Sequence, residues 1–291
     1  MSRPVFRFAP SPNGLLHLGH AYSALTNLAL ARSAGGLMLL RIEDIDRARC
    51  SLELEAAMLD DLEWLGFEWD GTPRRQSEHF DDYRERLAAL DTRGLLYPAM
   101  LSRAEIRRLV AQRRAAGVDW PNDPDGAPHY PGNERLLEPA GRQAILRGGA
   151  DFAFRLDMAR AVRDPGKGLA WREAPQGDFG ACADVAADPA AWGDAVLARK
   201  DAPASYHLAC VVDDALQGVT HVVRGRDLHA ATALHRLLQE LLGLPAPVYF
   251  HHPLVLDATG RKLSKSAGST AIRHLRRQGA SVAQIREMAG L

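Results

Sequence analysis

The stretch Val5-Phe6-Arg7-Phe8-Ala9-Pro10-Ser11-Pro12-Asn13-Gly14-Leu15-Leu16-His17-Leu18-Gly19-His20 runs from a β-prone segment through dense turn chemistry to the edge of a helix. From about His20 the pattern is helical, with Tyr22, Leu25, Leu28 and Ala29 on one stripe and Gly35-Gly36 as its stop. Leu37 to Ile42 is an apolar run of strand length that ends in the acidic cluster Glu43-Asp44-Ile45-Asp46. A strand, a turn, a helix and a second buried strand predict a βαβ unit and a parallel sheet.

Working outward, one helix holds Leu54, Met58, Leu62 and Leu65. Another runs from the candidate cap Ser77 through Phe80, Tyr83, Leu87 and Leu90 to Gly94. Ser102 with Glu105 predicts a capping box for a further short helix. After Gly117 the prolines 121, 124, 128, 131 and 139 lie among glycines and aspartates, which reads as an irregular segment inside an insertion. Alternation over residues 151–156 predicts a strand. Regular α/β patterning returns near Tyr206 with Val211-Val212, residues 219–223, a helix holding Ala231, Leu234, Leu238 and Leu241, and residues 247–250. The tail from Ala271 is helical in two pieces, the second opened by Ser281 with Gln284.

The chain has 291 residues, 46% hydrophobic and 25% charged, so it is globular rather than disordered. At roughly one domain per 150 residues, two domains or one domain with a long insertion are expected. Lys plus Arg and Asp plus Glu each number 36, so any nucleic-acid surface has to be local. Arg103, Arg107, Arg108, Arg113 and Arg114 form one such cluster, which reads equally as a solvated helix face. Cys50, Cys182 and Cys210 are scattered and odd in number, which predicts no disulfide framework. The N-terminal residues lack a signal-peptide pattern, and no apolar run approaches the roughly 18 residues of a membrane span. A cytoplasmic location, no membrane contact and a monomer are expected.

His17-Leu18-Gly19-His20 lies where a strand hands over to a helix N-terminus, whose free N–H groups and dipole suit phosphate. Alone, two histidines at this spacing are more often a surface pair. Far downstream, Lys262-Leu263-Ser264-Lys265-Ser266 follows Asp257-Ala258-Thr259-Gly260-Arg261. Two lysines in a Gly/Ser-rich loop can converge on a polyphosphate where transition-state charge develops. The chain holds no GxxxxGK[ST] alternative.

In this order and separation, HLGH and KLSKS resemble the HIGH and KMSKS signatures of class I aminoacyl-tRNA synthetases. Arg7-Phe8-Ala9-Pro10-Ser11-Pro12-Asn13-Gly14, Arg41-Ile42-Glu43-Asp44, Tyr206-His207-Leu208-Ala209, Val212-Asp213-Asp214 and Val223-Arg224-Gly225-Arg226-Asp227 narrow the resemblance to glutamyl-tRNA synthetases. The 25 residues after Ser266 are too few for the helical anticodon-binding region of those enzymes, so the chain resembles the short glutamyl-queuosine tRNA(Asp) synthetases. The resemblance implies an α/β fold: a Rossmann-like catalytic domain in two halves (residues 1–95 and 201–255), an inserted α/β subdomain (96–200), and a KLSKS loop with a short helical tail (256–291). It implies glutamate, ATP with Mg²⁺, and the tRNA(Asp) anticodon stem-loop as partners.

Charge logic and the resemblance together assign roles. Arg7 and Arg224 offer forks, and Tyr206 a hydroxyl, for the glutamate side-chain carboxylate, with Ala9 in the same pocket. Glu43 and Ser11 suit the ammonium. His17, Gly19, His20, Asp227, Lys262, Leu263, Ser264 and Lys265 go to ATP, with His17, His20, Lys262 and Lys265 as the catalytic set. Cys210 stands where the glutamyl enzymes often have Asn, which predicts one lost polar contact to substrate. Many short-family members hold zinc with Cys-x-Cys, Tyr and Cys. Here Ala99 and Leu101 occupy the first positions, Tyr130 survives and Glu134 replaces the last, so zinc is not expected. His129 is expected as a solvated loop residue, and the insertion as packed around Tyr97, Trp120 and Tyr130.

The expected function is tRNA-independent glutamate activation and transfer to queuosine at the wobble position of tRNA(Asp). The alternatives are a compact glutamyl-tRNA synthetase acylating a 3′ end, a small-molecule nucleotidyltransferase sharing HxGH, and a catalytically inactive tRNA-binding protein.

Overall fold

The computed structural model describes residues 3–164, 168–199, 202–256 and 270–291. Its first strands and helices are β1 (Val5–Phe8), α1 (Leu18–Ser33), β2 (Leu37–Ile42), α2 (Leu52–Trp64), β3 (Arg74–Arg75) and α3 (Phe80–Thr92). Next come β4 (Leu96–Ala99), α4 (Arg103–Ala115), α5 (Pro139–Arg147), β5 (Ala153–Leu156), α6 (Met158–Ala161), β6 (Ala170–Glu173), β7 (Ala183–Ala186) and β8 (Val196–Arg199). The chain then continues through α7 (Tyr206–Leu216), β9 (His221–Gly225), α8 (Ala231–Leu242), β10 (Val248–His252), α9 (Ile272–Arg277) and α10 (Val282–Ala289).

The larger sheet has the order β3-β2-β1-β9-β10-β6-β7, parallel except for the β6–β7 pair. The chain leaves β1 toward β2 on one side and reaches β9 on the other, so a crevice forms where the strand order reverses. A smaller antiparallel sheet, β4-β5-β8, belongs to the middle of the chain. Strands β6 and β7 also fall within residues 96–200, yet they extend the larger sheet through β10.

Strand parity decides which side chains meet. Phe6 and Phe8 of β1, Met38, Leu40 and Ile42 of β2, and Val223 of β9 join α1, α2 and the tail helices in one apolar core. Successive strand residues face opposite sides, so Arg7, Arg41 and Arg224 all point to the other face. There α3, α7 and α8 build a second core around Leu208, Leu234 and Leu238. The tail is bound into the first core by Ile272 and Ile285, and the Ile272 N–H donates to the Leu16 carbonyl at 2.8 Å.

Local expectations fail at four points. Ser77 does not cap α3: its N–H and hydroxyl reach the Asp44 carboxylate at 2.8 and 2.6 Å, and His79 precedes the helix. Ala29 is exposed, because the buried stripe of α1 runs through Ala21, Ala24, Leu25, Leu28 and Ala31. Val211 and Val212 lie in a helix rather than starting the sheet pattern. His129 is packed rather than solvated. Gly193, with no side chain, admits its ring, and the ring Nε2 lies 3.0 Å from the Ala191 carbonyl. Among the described residues no helix is long and apolar enough to cross a membrane.

Candidate active site

The carboxyl ends of β1, β9 and β10 open on a cleft of about 860 Å³. Every described residue assigned from the sequence to glutamate or ATP lines it: Arg7, Ala9, Ser11, His17, Gly19, His20, Glu43, Tyr206, Arg224 and Asp227. Lys262, Leu263, Ser264 and Lys265 lie outside the described residues.

At one side of the cleft the HLGH segment is itself the start of α1. His17 is the N-cap residue, and its Nδ1 accepts the Gly19 N–H at 3.1 Å. His20 at the third helical position reaches back, its Nδ1 accepting the His17 N–H at 3.1 Å. This is a capping box made of imidazoles. Both Nδ1 atoms act as acceptors, so in each neutral ring the proton sits on Nε2. The rings lie 3.9 Å apart, and a Cβ at residue 19 would stand 3.0 Å from the His17 ring, which is why Gly19 serves there.

Beneath the cleft lies a charged node. Arg41 has no exposed side-chain surface; its Nη1 donates to Asp214 at 2.7 Å and its Nη2 to Glu43 at 3.3 Å. The Nε of Arg7 donates to the same Asp214 oxygen at 3.1 Å. Burial opposes these charges, but Asp214 keeps both guanidinium groups more firmly protonated than usual, and they hold its carboxyl below the usual range. Burial pushes the Glu43 carboxyl up, while Arg41 and Arg7 pull it down. Neighbouring Asp213 accepts from Arg74 at 2.8 Å, Gln76 at 2.7 Å and Tyr83 at 2.8 Å, tying α7 to β3 and α3. Cys210 sits against Arg7, Arg41 and Asp214, and burial pushes its thiol up to about 12.

Arg224 is different. It is buried, and among the described residues its hydrogen-bond partners are neutral: Thr232 Oγ1 at 2.8 Å, His251 Nε2 and His235 Nδ1 at 3.2 Å, and the Tyr206 hydroxyl at 3.5 Å. His235 Nε2 lies 3.1 Å from His207 Nδ1. Burial, with Arg224 adding to it, lowers the pKa of His207 to about 4 and of His235 well below its usual value, so both rings remain neutral acceptors. His235, Thr232, His251 and Glu173 carry no motif that singles them out in the sequence. Their places in α8, β10 and β6 reveal them only once Arg224 is placed.

In the insertion, the side chains of Ala99 and Leu101 offer no metal-ligand atom. The Tyr130 hydroxyl donates to Glu134 Oε1 at 2.7 Å and accepts the Leu101 N–H at 3.2 Å, while Glu134 Oε1 accepts the Met100 N–H at 3.1 Å. Tyr97, Ala99, Ile106, Val110 and Tyr130 pack beside them, with Trp120 against the cluster. On α4, Arg103, Arg107 and Arg108 are exposed. Arg113 covers the Trp120 ring at 4.4 Å, and Arg114 donates to the Trp120 carbonyl at 2.7 Å.

The sequence matches the model of the tRNA synthetases class I (E and Q) catalytic domain over residues 5–165 and 178–289. It is 45% identical to the glutamyl-Q tRNA(Asp) synthetase of Rhodobacter capsulatus, over 99% of this chain and 100% of that protein. A Synechococcus glutamate–tRNA ligase is 39% identical over 94% of this chain, which spans 55% of that enzyme. The crystal structure of a glutamate tRNA ligase from Elizabethkingia meningosepticum, in complex with its amino acid, superposes with a TM-score of 0.72 at 28% identity, over 92% of this chain and 53% of that one. The chain belongs to the class I tRNA synthetases of the E and Q family.

Proposed function

We propose that this protein is a cytoplasmic, monomeric enzyme that activates glutamate with ATP and transfers it to queuosine at the wobble position of tRNA(Asp). The observation that carries the amino-acid assignment is Arg224, a buried guanidinium whose hydrogen-bond partners among the described residues are neutral, in the wall of the cleft. A site that buries a cation with no carboxylate bonded to it favours an anionic side chain over the neutral amide of glutamine, the other substrate class of the family. Arg224 and Tyr206 receive the side-chain carboxylate, with Arg7 and Ala9 beside them. Glu43 and Ser11 face the ammonium.

ATP enters as its Mg²⁺ complex. His17 and His20 present Nε2–H donors to its phosphates, Gly19 admits the base, and Asp227 meets the ribose. Lys262 and Lys265, with Leu263 and Ser264 of the KLSKS sequence, supply positive charge and polar groups suited to the triphosphate. An oxygen of the substrate α-carboxylate attacks the α-phosphorus, and the bond to the bridging oxygen breaks, releasing pyrophosphate. Catalysis by this chain is positioning and charge stabilisation. A hydroxyl of the queuosine cyclopentene-diol then attacks the acyl carbon and AMP leaves. The match to the Rhodobacter capsulatus protein, end to end in both chains, supports this acceptor over a 3′-terminal ribose. An unpaired anticodon-loop base can be splayed out and read directly. The Tyr130–Glu134 hydrogen bonds stand where the resemblance would put zinc, since two of the four positions have no side-chain ligand atom.

Glutamate-dependent pyrophosphate exchange is expected without RNA, followed by transfer of labelled glutamate to queuosine-bearing tRNA(Asp) but not to queuosine-free tRNA(Asp). Exchange that requires tRNA, or label at the 3′ end, would return the protein to the ordinary glutamate ligases.

A further inference from the structure

We propose that Glu173, at the end of β6, is a positioning residue for glutamate recognition, acting through His251 on Arg224. The inference rests on the reading of Arg224 given above. An imidazole nitrogen can accept from a guanidinium only when it carries no proton, so the His251 tautomer decides whether Arg224 is held or repelled. His251 Nδ1 lies 2.9 Å from both oxygens of Glu173. Those oxygens are fixed by two further donors: Oε1 accepts the His251 backbone N–H at 2.9 Å and Oε2 the Trp171 indole N–H at 2.9 Å. A carboxylate so held can only accept from the ring. The proton is therefore on Nδ1, and the Nε2 lone pair faces the Nε–H of Arg224 at 3.2 Å and the Thr232 hydroxyl at 3.0 Å.

The arrangement balances the charge of Arg224 from one imidazole away. A carboxylate directly on the guanidinium, as Asp214 is on Arg7, would compete with the substrate anion for the same N–H groups. With His251 interposed, the negative charge lies behind the arginine and the substrate side stays uncapped by an anion. Glu173, His229 and His251 bring their ligand atoms within 4.8 Å of one another. Two of these three are spent on each other, and His251 turns its second nitrogen to a cation, which suits a proton and not a metal ion. Against the burial that opposes its charge, the bonds from His251 and Trp171 hold the Glu173 carboxyl below its usual range. Burial together with Arg224 brings the His251 imidazole to about 4.

The test uses pyrophosphate exchange on the full chain. In Glu173→Gln one amide end must face a donor, either the His251 backbone N–H or the Trp171 indole, and an amide N–H turned to Nδ1 would drive the ring proton onto Nε2 against Arg224. The KM for glutamate is expected to rise about tenfold or more, with kcat and the KM for ATP within about twofold. His251→Asn, too short to reach Arg224, should do the same, and adding Glu173→Gln to it should change the glutamate KM by less than about twofold, since coupled residues are not additive. An unchanged glutamate KM in both single variants, equal losses toward glutamate and ATP, or fully multiplicative effects would overturn the relay. Arg224→Ala is measured in parallel. If it leaves glutamate use intact, the assignment of Arg224 falls and the relay with it; if it abolishes glutamate use while Glu173→Gln does nothing, only the relay falls.

Discussion

Two buried arginine sites share one face of the sheet and solve opposite problems. Arg7 and Arg41 meet carboxylates, Asp214 above all, and their charges are settled within the fold. Arg224, separated from Arg7 by a single strand boundary, meets two imidazoles and two hydroxyls. Desolvating a cation is costly unless an anion compensates it. The first site bonds that anion directly to its guanidinium groups; the second keeps its carboxylate, Glu173, one imidazole away, and the proposed glutamate would take the direct place. The difference teaches that a buried charge is informative about function mainly through what surrounds it.

The comparison breaks most visibly at Arg41. Arg41→Met strips a buried partner from Asp214 and leaves a carboxylate underpaired, with an expected loss of about 3–5 kcal/mol of stability in urea unfolding. Arg224→Ala should behave in the reverse sense. Its unfolding free energy should change far less, while glutamate use falls by about 2–5 kcal/mol in kcat/KM and the KM for ATP stays nearly constant. Similar stability losses in the two variants would erase the distinction.

Acid separates the same two sites by window. His207 and His251 have folded-state values of about 4, below the usual 6.5, so the unfolded chain binds more protons between them. Stability from these rings is complete above pH 6.5 and is lost as pH falls toward 4, by about 2 kcal/mol per imidazole near pH 4.5. Asp214, held below 3.8, contributes stability that is lost only at lower pH still. Unfolding midpoints across pH 7 to about 2, with and without His251→Asn, test the order: the variant should flatten the upper window and leave the lower one. The smallest effect lies away from the cleft. Tyr130→Phe removes one hydroxyl from the Glu134 bonds and should cost about 1–2 kcal/mol in unfolding, equally with and without chelator. A chelator-dependent loss in the parent would put a metal back into the insertion.

Much of this was legible along the chain. The β1 and β2 runs, the capping boxes at Ser102 and Ser281, and the cleft residues before and after the insertion are local patterns, and local physics sets them. What resisted reading depends on partners distant in sequence. Ser77 had the spacing of a cap, but a carboxylate 33 residues upstream outbid the helix for its hydroxyl. Val211 and Val212 look equally good in a buried helix or a buried strand, and only their neighbours decide. Cys210 was read only through the polar residue it replaces; that its thiol lies among two arginines and an aspartate depends on β1, β2 and its own helix meeting. Glu173 and His251 are 78 residues apart and touch because β6 joins the edge of the parallel sheet, which no periodicity within 96–200 announces.

The imidazole capping box has a consequence for genetics. Since each ring of His17 and His20 spends one nitrogen on starting α1, a truncated side chain would injure folding and the proposed nucleotide contact in the same stroke, and an alanine scan would merge the two phenotypes. Asparagine is the separating allele at His17. Its amide oxygen can cap a helix, yet it lacks the second ring nitrogen. An enzyme with His17→Asn should therefore be intact as an object and impaired as a catalyst, so that mixed populations of the two forms stay equally long-lived while only one turns over.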